Sequence, residues 1–228
     1  MKKAYKILET ARENGQRTLS EYESKLILAD YGVPVVSEII GRSWDETRKF
    51  ASEIGYPVVL KVCSPEVTHK TEQKLIEINL RDEKDLESAY RRLDEKAQGV
   101  KGEVLIQKMI TGSRELVLGL IRDPQFGPCV MFGLGGIFTE VLHDVSFRVA
   151  PITMQDAMDM MEEIKAKSIL HAIRGMDAVD KNVLGESLVA LGNIGLEHES
   201  VKEIDVNPMI IYGNRPVAVD ALVVLSDQ

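Results

Sequence analysis

The stretch Glu203-Ile204-Asp205-Val206-Asn207-Pro208, the turn Tyr212-Gly213-Asn214-Arg215 and the return Val217-Ala218-Val219-Asp220-Ala221 decide how the chain ends. Residues 202–211 and 217–225 form two apolar runs around turn chemistry, the pattern of a strand hairpin. Strand side chains alternate between faces, so Asp205 and Asn207 share one face while Ile204 and Val206 take the other. With Gly213 and Asn214 as the central turn residues, Asn207 is predicted to face Asp220, with Cβ atoms roughly 5 Å apart. Oxygen donors on one face of an otherwise apolar hairpin suit a hard cation such as Mg²⁺. A solvent-facing strand, or polar residues that satisfy one another, gives the same pattern, so both readings stand on these residues.

Upstream, the apolar periodicity mixes helices and strands. Residues 4–14 predict a helix. Ser20-Glu21-Tyr22-Glu23 is a capping-box pattern with Leu26, Ile27 and Tyr31 at helical spacing behind it. Residues 43–54 predict a helix stopped by Gly55. Pro57-Val58-Val59-Leu60-Lys61-Val62 is a buried strand that carries one lysine. Strands at 76–80 and 104–108 flank an amphipathic helix at 82–98. In the second half, 114–122, 138–142 and 145–150 predict strands. Residues 153–165 and 180–197 predict helices, the latter despite Gly185, Gly192 and Gly195. The absence of a regular βαβ alternation makes the expected class α+β, in two packed lobes spanning 1–106 and 107–228.

Length and charge narrow the field. The 228 residues suffice for one large domain or two small ones with their own cores. Lys+Arg 28 against Asp+Glu 36 leaves a net charge of −8, which argues against a nonspecific nucleic-acid binder while permitting a local basic pocket. Cys63 and Cys129 form neither a CxxC pair nor metal-ligand spacing, so they are expected to be buried thiols of a reduced compartment. The first fifteen residues lack the apolar core of a secretory signal. The longest apolar runs, such as 130–138, fall short of a membrane span, so a cytoplasmic protein is expected.

Four further features can carry chemistry. Lys61 sits among Val and Leu, where a charge is costly unless it meets an anion. The polar loop Ser64-Pro65-Glu66-Val67-Thr68-His69-Lys70-Thr71 can fold over phosphates, or be a plain surface loop. Within it, His69 is a candidate phosphoryl acceptor, because neutral imidazole is a nucleophile near pH 7. His143, His171 and His198 are expected to be structural or exposed. The glycine-rich run Phe132-Gly133-Leu134-Gly135-Gly136-Ile137-Phe138-Thr139-Glu140 permits close backbone approach to a ligand, yet matches neither a dinucleotide fingerprint nor a P-loop. After it, Asp144 and Arg148 bracket Val145-Ser146-Phe147. Arg148 can hold a phosphate or pair with a nearby acid. Finally, Gln107-Lys108-Met109-Ile110 runs into Gly112-Ser113-Arg114-Glu115, a strand and linker whose backbone can read an adenine edge and whose carboxylate can accept ribose hydroxyls.

In this order the features resemble an ATP-grasp nucleotide site. More specifically, the chain resembles the beta subunit of ADP-forming acetyl-CoA (acyl-CoA) synthetases over nearly its whole length. The resemblance rests on Gly55–Lys61, Ser64-Pro65 with His69-Lys70-Thr71, Ile121-Arg122-Asp123-Pro124-Gln125-Phe126-Gly127-Pro128, the run from Val130 to Glu140, the run from Asp144 to Pro151, and Asp205-Val206-Asn207-Pro208. It implies an ATP-grasp fold of two α+β lobes with the nucleotide between them. It implies the reaction acyl-CoA + ADP + phosphate ⇌ carboxylic acid + CoA + ATP, with a CoA-binding alpha subunit as partner in an α₂β₂ assembly. By position, His69 is the implied phosphohistidine. Lys25 and Lys61 are the implied phosphate contacts, 107–110 the adenine linker and Glu115 the ribose contact. Arg148 is an implied phosphate clamp, and Asp205, Asn207 and Asp220 are the implied Mg²⁺ ligands. One stretch departs from the family pattern Asp-X-Gly-Gly-Val and reads Glu72-Gln73-Lys74-Leu75-Ile76. Neither replacement is equivalent to glycine where positive φ is needed. Two other functions compete: a free-standing ATP-grasp carboxylate ligase, and a regulatory module that binds ADP or ATP without turnover.

Overall fold

The computed structural model describes residues 3–65, 75–99, 102–135, 144–173 and 175–226. The chain divides into two compact units, one of residues 18–22 and 36–110, the other of 1–17, 23–35 and 111–228.

The smaller unit is a four-stranded antiparallel sheet backed by two helices. Its strands are β1 (Glu38–Gly41), β2 (Val58–Cys63), β3 (Ile76–Leu80) and β4 (Glu103–Lys108), in the order β1-β4-β2-β3. The helices are α3 (Trp44–Ile54) and α4 (Glu83–Gly99). Ser43 caps α3 by accepting from the Glu46 N–H. One sheet face presents Val58, Leu60, Val62, Val104 and Ile106 to Leu86, Ala89, Leu93 and Ala97 of α4. All six residues of β2 are buried, so it carries an apolar run where a half-exposed strand would alternate. Lys61 is the charged member of that run. Leu75, at one of the positions where the family pattern has glycine, enters this core, and its carbonyl accepts from Val62 N–H at 2.9 Å.

The larger unit holds a six-stranded sheet. Its strands are β5 (Glu115–Asp123), β6 (Gly127–Leu134), β7 (Val145–Val149), β8 (Val201–Tyr212), β9 (Arg215–Ala218) and β10 (Leu222–Leu225). They run in the order β10-β8-β5-β6-β7, with β9 paired to β8. Helices α5 (Met154–Glu163) and α6 (Lys181–Glu197) pack on the face that carries Leu118, Leu120, Val130 and Phe132. Gly195 of α6 follows from this packing. A Cβ on Gly195 would stand 2.6 Å from Leu120 Cδ1 and 2.7 Å from Pro128 Cβ, so the helix can lie this close to the sheet only without a side chain there. Arg122 holds the end of α6, donating to the carbonyls of Gly195 (2.6 Å), His198 (3.0 Å) and Val201 (3.0 Å). A cation at a helix C-terminus satisfies carbonyls that have no intrahelical partner.

The domain boundaries differ from those expected at 1–106 and 107–228. Helices α1 (Lys3–Glu13) and most of α2 (Glu21–Asp30) belong with the C-terminal half. Backbone pairing is the reason: Leu225 N–H donates to Arg17 O (2.8 Å), Ala218 N–H to Pro34 O (2.8 Å), and Val223 N–H to Ser24 Oγ (3.1 Å). The expected single strand at 217–225 is two, β9 and β10, and the expected strand at 138–142 lies outside the described residues. Strands β1 and β6 were not predicted. Cys63 is buried as expected, and Cys129 is half-buried. His198 is structural: its Nε2 lies 2.9 Å from Tyr31 Oη, and Tyr5 meets its ring edge-on at 4.5 Å. Among the described residues no helix is long and apolar enough to cross a membrane.

Arg122→Met removes a charged donor from three carbonyls while keeping much of the apolar arm. It is expected to cost about 2–4 kcal/mol, seen as a drop of at least roughly 5 °C in the thermal midpoint. An unchanged midpoint would show that the α6 terminus is held by other means.

Candidate functional site

In the smaller unit the register fixes where the lysine stands. Val59 pairs with Gln107, Lys61 with Leu105, and Glu38 with Gln107. Lys61 and Gln107 therefore project from the same face, away from the apolar core, and both are buried. Lys61 Nζ donates to Glu21 Oε1 at 2.7 Å. Sequence reasoning treated Glu21 only as part of a capping pattern; no local spacing connects it to Lys61, forty positions away. Beyond β4, the Lys108 N–H donates to Ser37 O at 3.0 Å and the Met109 N–H to Pro57 O at 3.1 Å. These bonds fix the backbone of Lys108 and Met109 where β4 ends.

In the larger unit the hairpin carries an acidic face. Asp205 pairs with Gly119 on one side and Leu222 on the other. Ile204 and Val206 are buried on the opposite face. Met209 pairs with Ala218 and Asp205 with Leu222, the register that sets Asn207 against Asp220. Between these pairs the ladder is interrupted at the Asn207–Pro208 peptide, where Pro208 has no N–H to give. Burial, then the Glu203 and Asp220 carboxylates, push the Asp205 carboxyl up to about 6. Such crowding is what a divalent cation relieves. Among the described residues no cluster of three or more His, Cys, Asp and Glu has metal-holding geometry. The candidate set is two carboxylates and an amide, an open set that fits a cation sharing its ligands with phosphates and water.

Lys25 lies in the same unit, buried on α2, with its Nζ donating to Val219 O at 3.3 Å. It thus stands beside the strand segment that leads into Asp220. Glu115 opens β5 and pairs with Ile210. Its carbonyl accepts from Gly135 N–H at 2.8 Å, and a Cβ on Gly135 would lie 2.8 Å from the Leu116 carbonyl. The glycine-rich run therefore begins with a backbone-on-backbone contact that only glycine permits. Asp144 closes that run, accepting from the N–H groups of Lys165 and Ala166, both at 2.7 Å.

Arg148 departs from the phosphate-clamp expectation. It pairs with Val130, on the helix-covered face of the sheet, opposite Asp205. There its guanidinium forms a two-pronged ion pair with Glu163 of α5, one prong at 2.9 Å. This bond and the one from Ser146 hold Glu163 down to about 2. The nearby acid, the alternative open in the sequence, is the partner Arg148 has. His69, Lys70, Lys74, Glu140 and His143 lie outside the described residues.

Residues 10–225 match the family model described as an ATP-grasp domain. The chain is 45% identical to the acetate–CoA ligase [ADP-forming] I subunit beta of Pyrococcus furiosus, over 98% of each chain. It is 41% identical to the acetate–CoA ligase [ADP-forming] I of Archaeoglobus fulgidus, over 99% of this chain and 33% of that longer one. Among solved structures it is similar to an acetyl-coenzyme A synthetase of Korarchaeum cryptofilum, in complex with coenzyme A and Mg-AMPPCP. That structure's phosphohistidine segment points towards the nucleotide binding site. The TM-score is 0.87 at 43% identity, over 98% of this chain and 100% of that one.

A carboxyl whose folded pKa is raised binds a proton that the unfolded chain has released. Stability therefore falls as pH rises from about 4 to about 6, by about 3 kcal/mol, and stays low above. Asp205→Asn is expected to melt higher than the parent near pH 7.5 without metal, and the two curves should converge below about pH 4. Added Mg²⁺ should raise the parent's midpoint and leave the variant's unmoved. Thermal melts across pH check both; parallel curves would contradict the account.

Proposed function

The chain belongs to the ATP-grasp family, with the beta subunits of ADP-forming acetate–CoA ligases, and on that footing we propose that it performs the nucleotide half of their reaction. The overall equation is acyl-CoA + ADP + phosphate ⇌ carboxylic acid + CoA + ATP. The observation that carries this reading is the end-to-end likeness to a beta subunit, over 98% of both chains.

In the nucleotide half-reaction a terminal oxygen of ADP attacks the phosphorus of phosphorylated His69. The N–P bond breaks, a P–O bond forms, and ATP leaves while the ring takes up one proton to become neutral imidazole. Phosphoryl transfer of this kind asks the protein mainly to position groups and neutralise charge. Lys61 and Lys25 supply fixed positive charge to the phosphates. The segment 107–110 reads the base, with the N–H groups of Lys108 and Met109 already taken by the fold, so that the carbonyls towards its end and the residues beyond do the reading. Glu115 accepts the ribose hydroxyls. Asp205, Asn207 and Asp220 would hold Mg²⁺, which neutralises phosphate charge when bound. A CoA-binding alpha subunit supplies the acyl phosphate chemistry, in an α₂β₂ assembly. Arg148, paired with Glu163, serves the packing of α5.

Two observations bear on the competing functions. The Archaeoglobus relative carries the matching stretch as 33% of its length, so this chain corresponds to one part of a larger machine rather than to a free-standing ligase. Leu75, one of the two residues standing where the family pattern has glycine, is accommodated in the core, with its carbonyl bonded to the Val62 N–H.

Asp220→Ala is expected to weaken MgADP binding by about tenfold or more (about 1.4 kcal/mol or more) in calorimetry. His69→Ala is expected to bind MgADP as the parent does, yet form no ATP from acetyl-CoA, ADP and phosphate when mixed with the alpha subunit. ATP formation by the His69 variant would remove the relay, and unchanged affinity in the Asp220 variant would remove the hairpin from the nucleotide site.

A further inference from the structure

The short segment 18–22 belongs with the smaller unit although the chain on either side of it does not. Five residues have no core of their own, so what they hold explains where they sit. Thr18 Oγ1 donates to Pro65 O at 2.6 Å, just past the end of β2. Glu21 accepts from Lys61 at 2.7 Å, with side-chain exposures of 1% and 4%. Both tethers fall on the same short stretch, from Lys61 to Pro65.

We propose that Glu21 is a positioning residue for the reaction, a buried carboxylate that keeps Lys61 charged and aimed for nucleotide phosphate. This rests on the reading of Lys61 as a phosphate contact. An ammonium this deeply buried loses its proton readily unless an anion faces it, and a neutral amine offers no charge to a phosphate. A lysine side chain also samples many rotamers, and a 2.7 Å bond to a buried acceptor selects one of them. Glu21 is the first residue of α2. There the positive end of the helix dipole favours the ionised carboxylate. The arriving phosphate meets an ammonium already ionised and already in place.

A double-variant cycle tests this, reading MgADP dissociation constants by calorimetry and folding by thermal melts. Lys61→Met and Glu21→Gln are each expected to weaken MgADP by about tenfold or more. In the Lys61→Met background, Glu21→Gln should add less than about twofold, because the carboxylate acts only through the lysine. Glu21→Gln leaves a buried ammonium without this carboxylate and is expected to melt lower. The double variant has neither charge, so it should regain stability yet remain as weak for MgADP as Lys61→Met. If Glu21→Gln does not fold, the comparison of Lys61→Met with the double variant still decides. A further large loss in the double variant would overturn the inference, as would parental affinity in a folded Glu21→Gln beside a weak Lys61→Met. Parental affinity in Lys61→Met would instead remove the phosphate reading of Lys61, and the inference with it.

Discussion

A positive charge inside an apolar strand is the constraint on which the smaller unit depends. All six residues of β2 are buried, and the face opposite Lys61 packs on α4 through Val58, Leu60 and Val62. That burial stabilises the unit only if the ammonium on the other face has a partner, since an unpaired buried charge costs several kcal/mol. Glu21 is that partner, and it comes from a segment remote in sequence. The position of 18–22 answers to this bond together with the one from Thr18 Oγ1 to Pro65 O.

The larger unit contains the converse situation. On β8 and its return, burial first, and then the neighbouring Glu203 and Asp220 carboxylates, push Asp205 up to about 6. Nothing in the hairpin's apolar sequence requires such crowding for folding; two hydrophobic side chains at these positions would stabilise the sheet more. The same unit buries Lys25, whose Nζ donates to the carbonyl of Val219, the residue before Asp220. Unfavourable groups held in place by a well-packed sheet are characteristic of sites rather than of cores.

Much of this was legible in the sequence, and the parts that were not share a cause. Helices α3 and α4 announce themselves by capping and period, and β2 by its apolar run. The hairpin turn at 213–214 fixes the pairing of Tyr212 with Arg215, as its Gly-Asn chemistry predicts. The lysine in β2 and the acids of β8 stood out because they break an apolar pattern. Contacts that depend on distant chain segments did not stand out. Glu21 meets Lys61, and Arg148 meets Glu163, through tertiary placement that no local spacing encodes. The domain boundary differs for the same reason, because Arg17, Ser24 and Pro34, in and around α2, accept hydrogen bonds from residues 218–225. The glycines of α6 looked like helix breakers until Leu120 and Pro128 were seen against Gly195. Strand β6 was hidden by glycines that permit close strand packing.

The central claim is that the chain passes phosphate between a histidine and a nucleotide. The direct measurement is intact-protein and peptide mass spectrometry after incubation with Mg-ATP, scoring acid-labile phosphate and running the same incubation with the alpha subunit present. The account predicts one phosphate on His69, removed by added ADP. A chain that binds Mg-ATP yet carries no phosphate on His69, alone or with the alpha subunit, would contradict it.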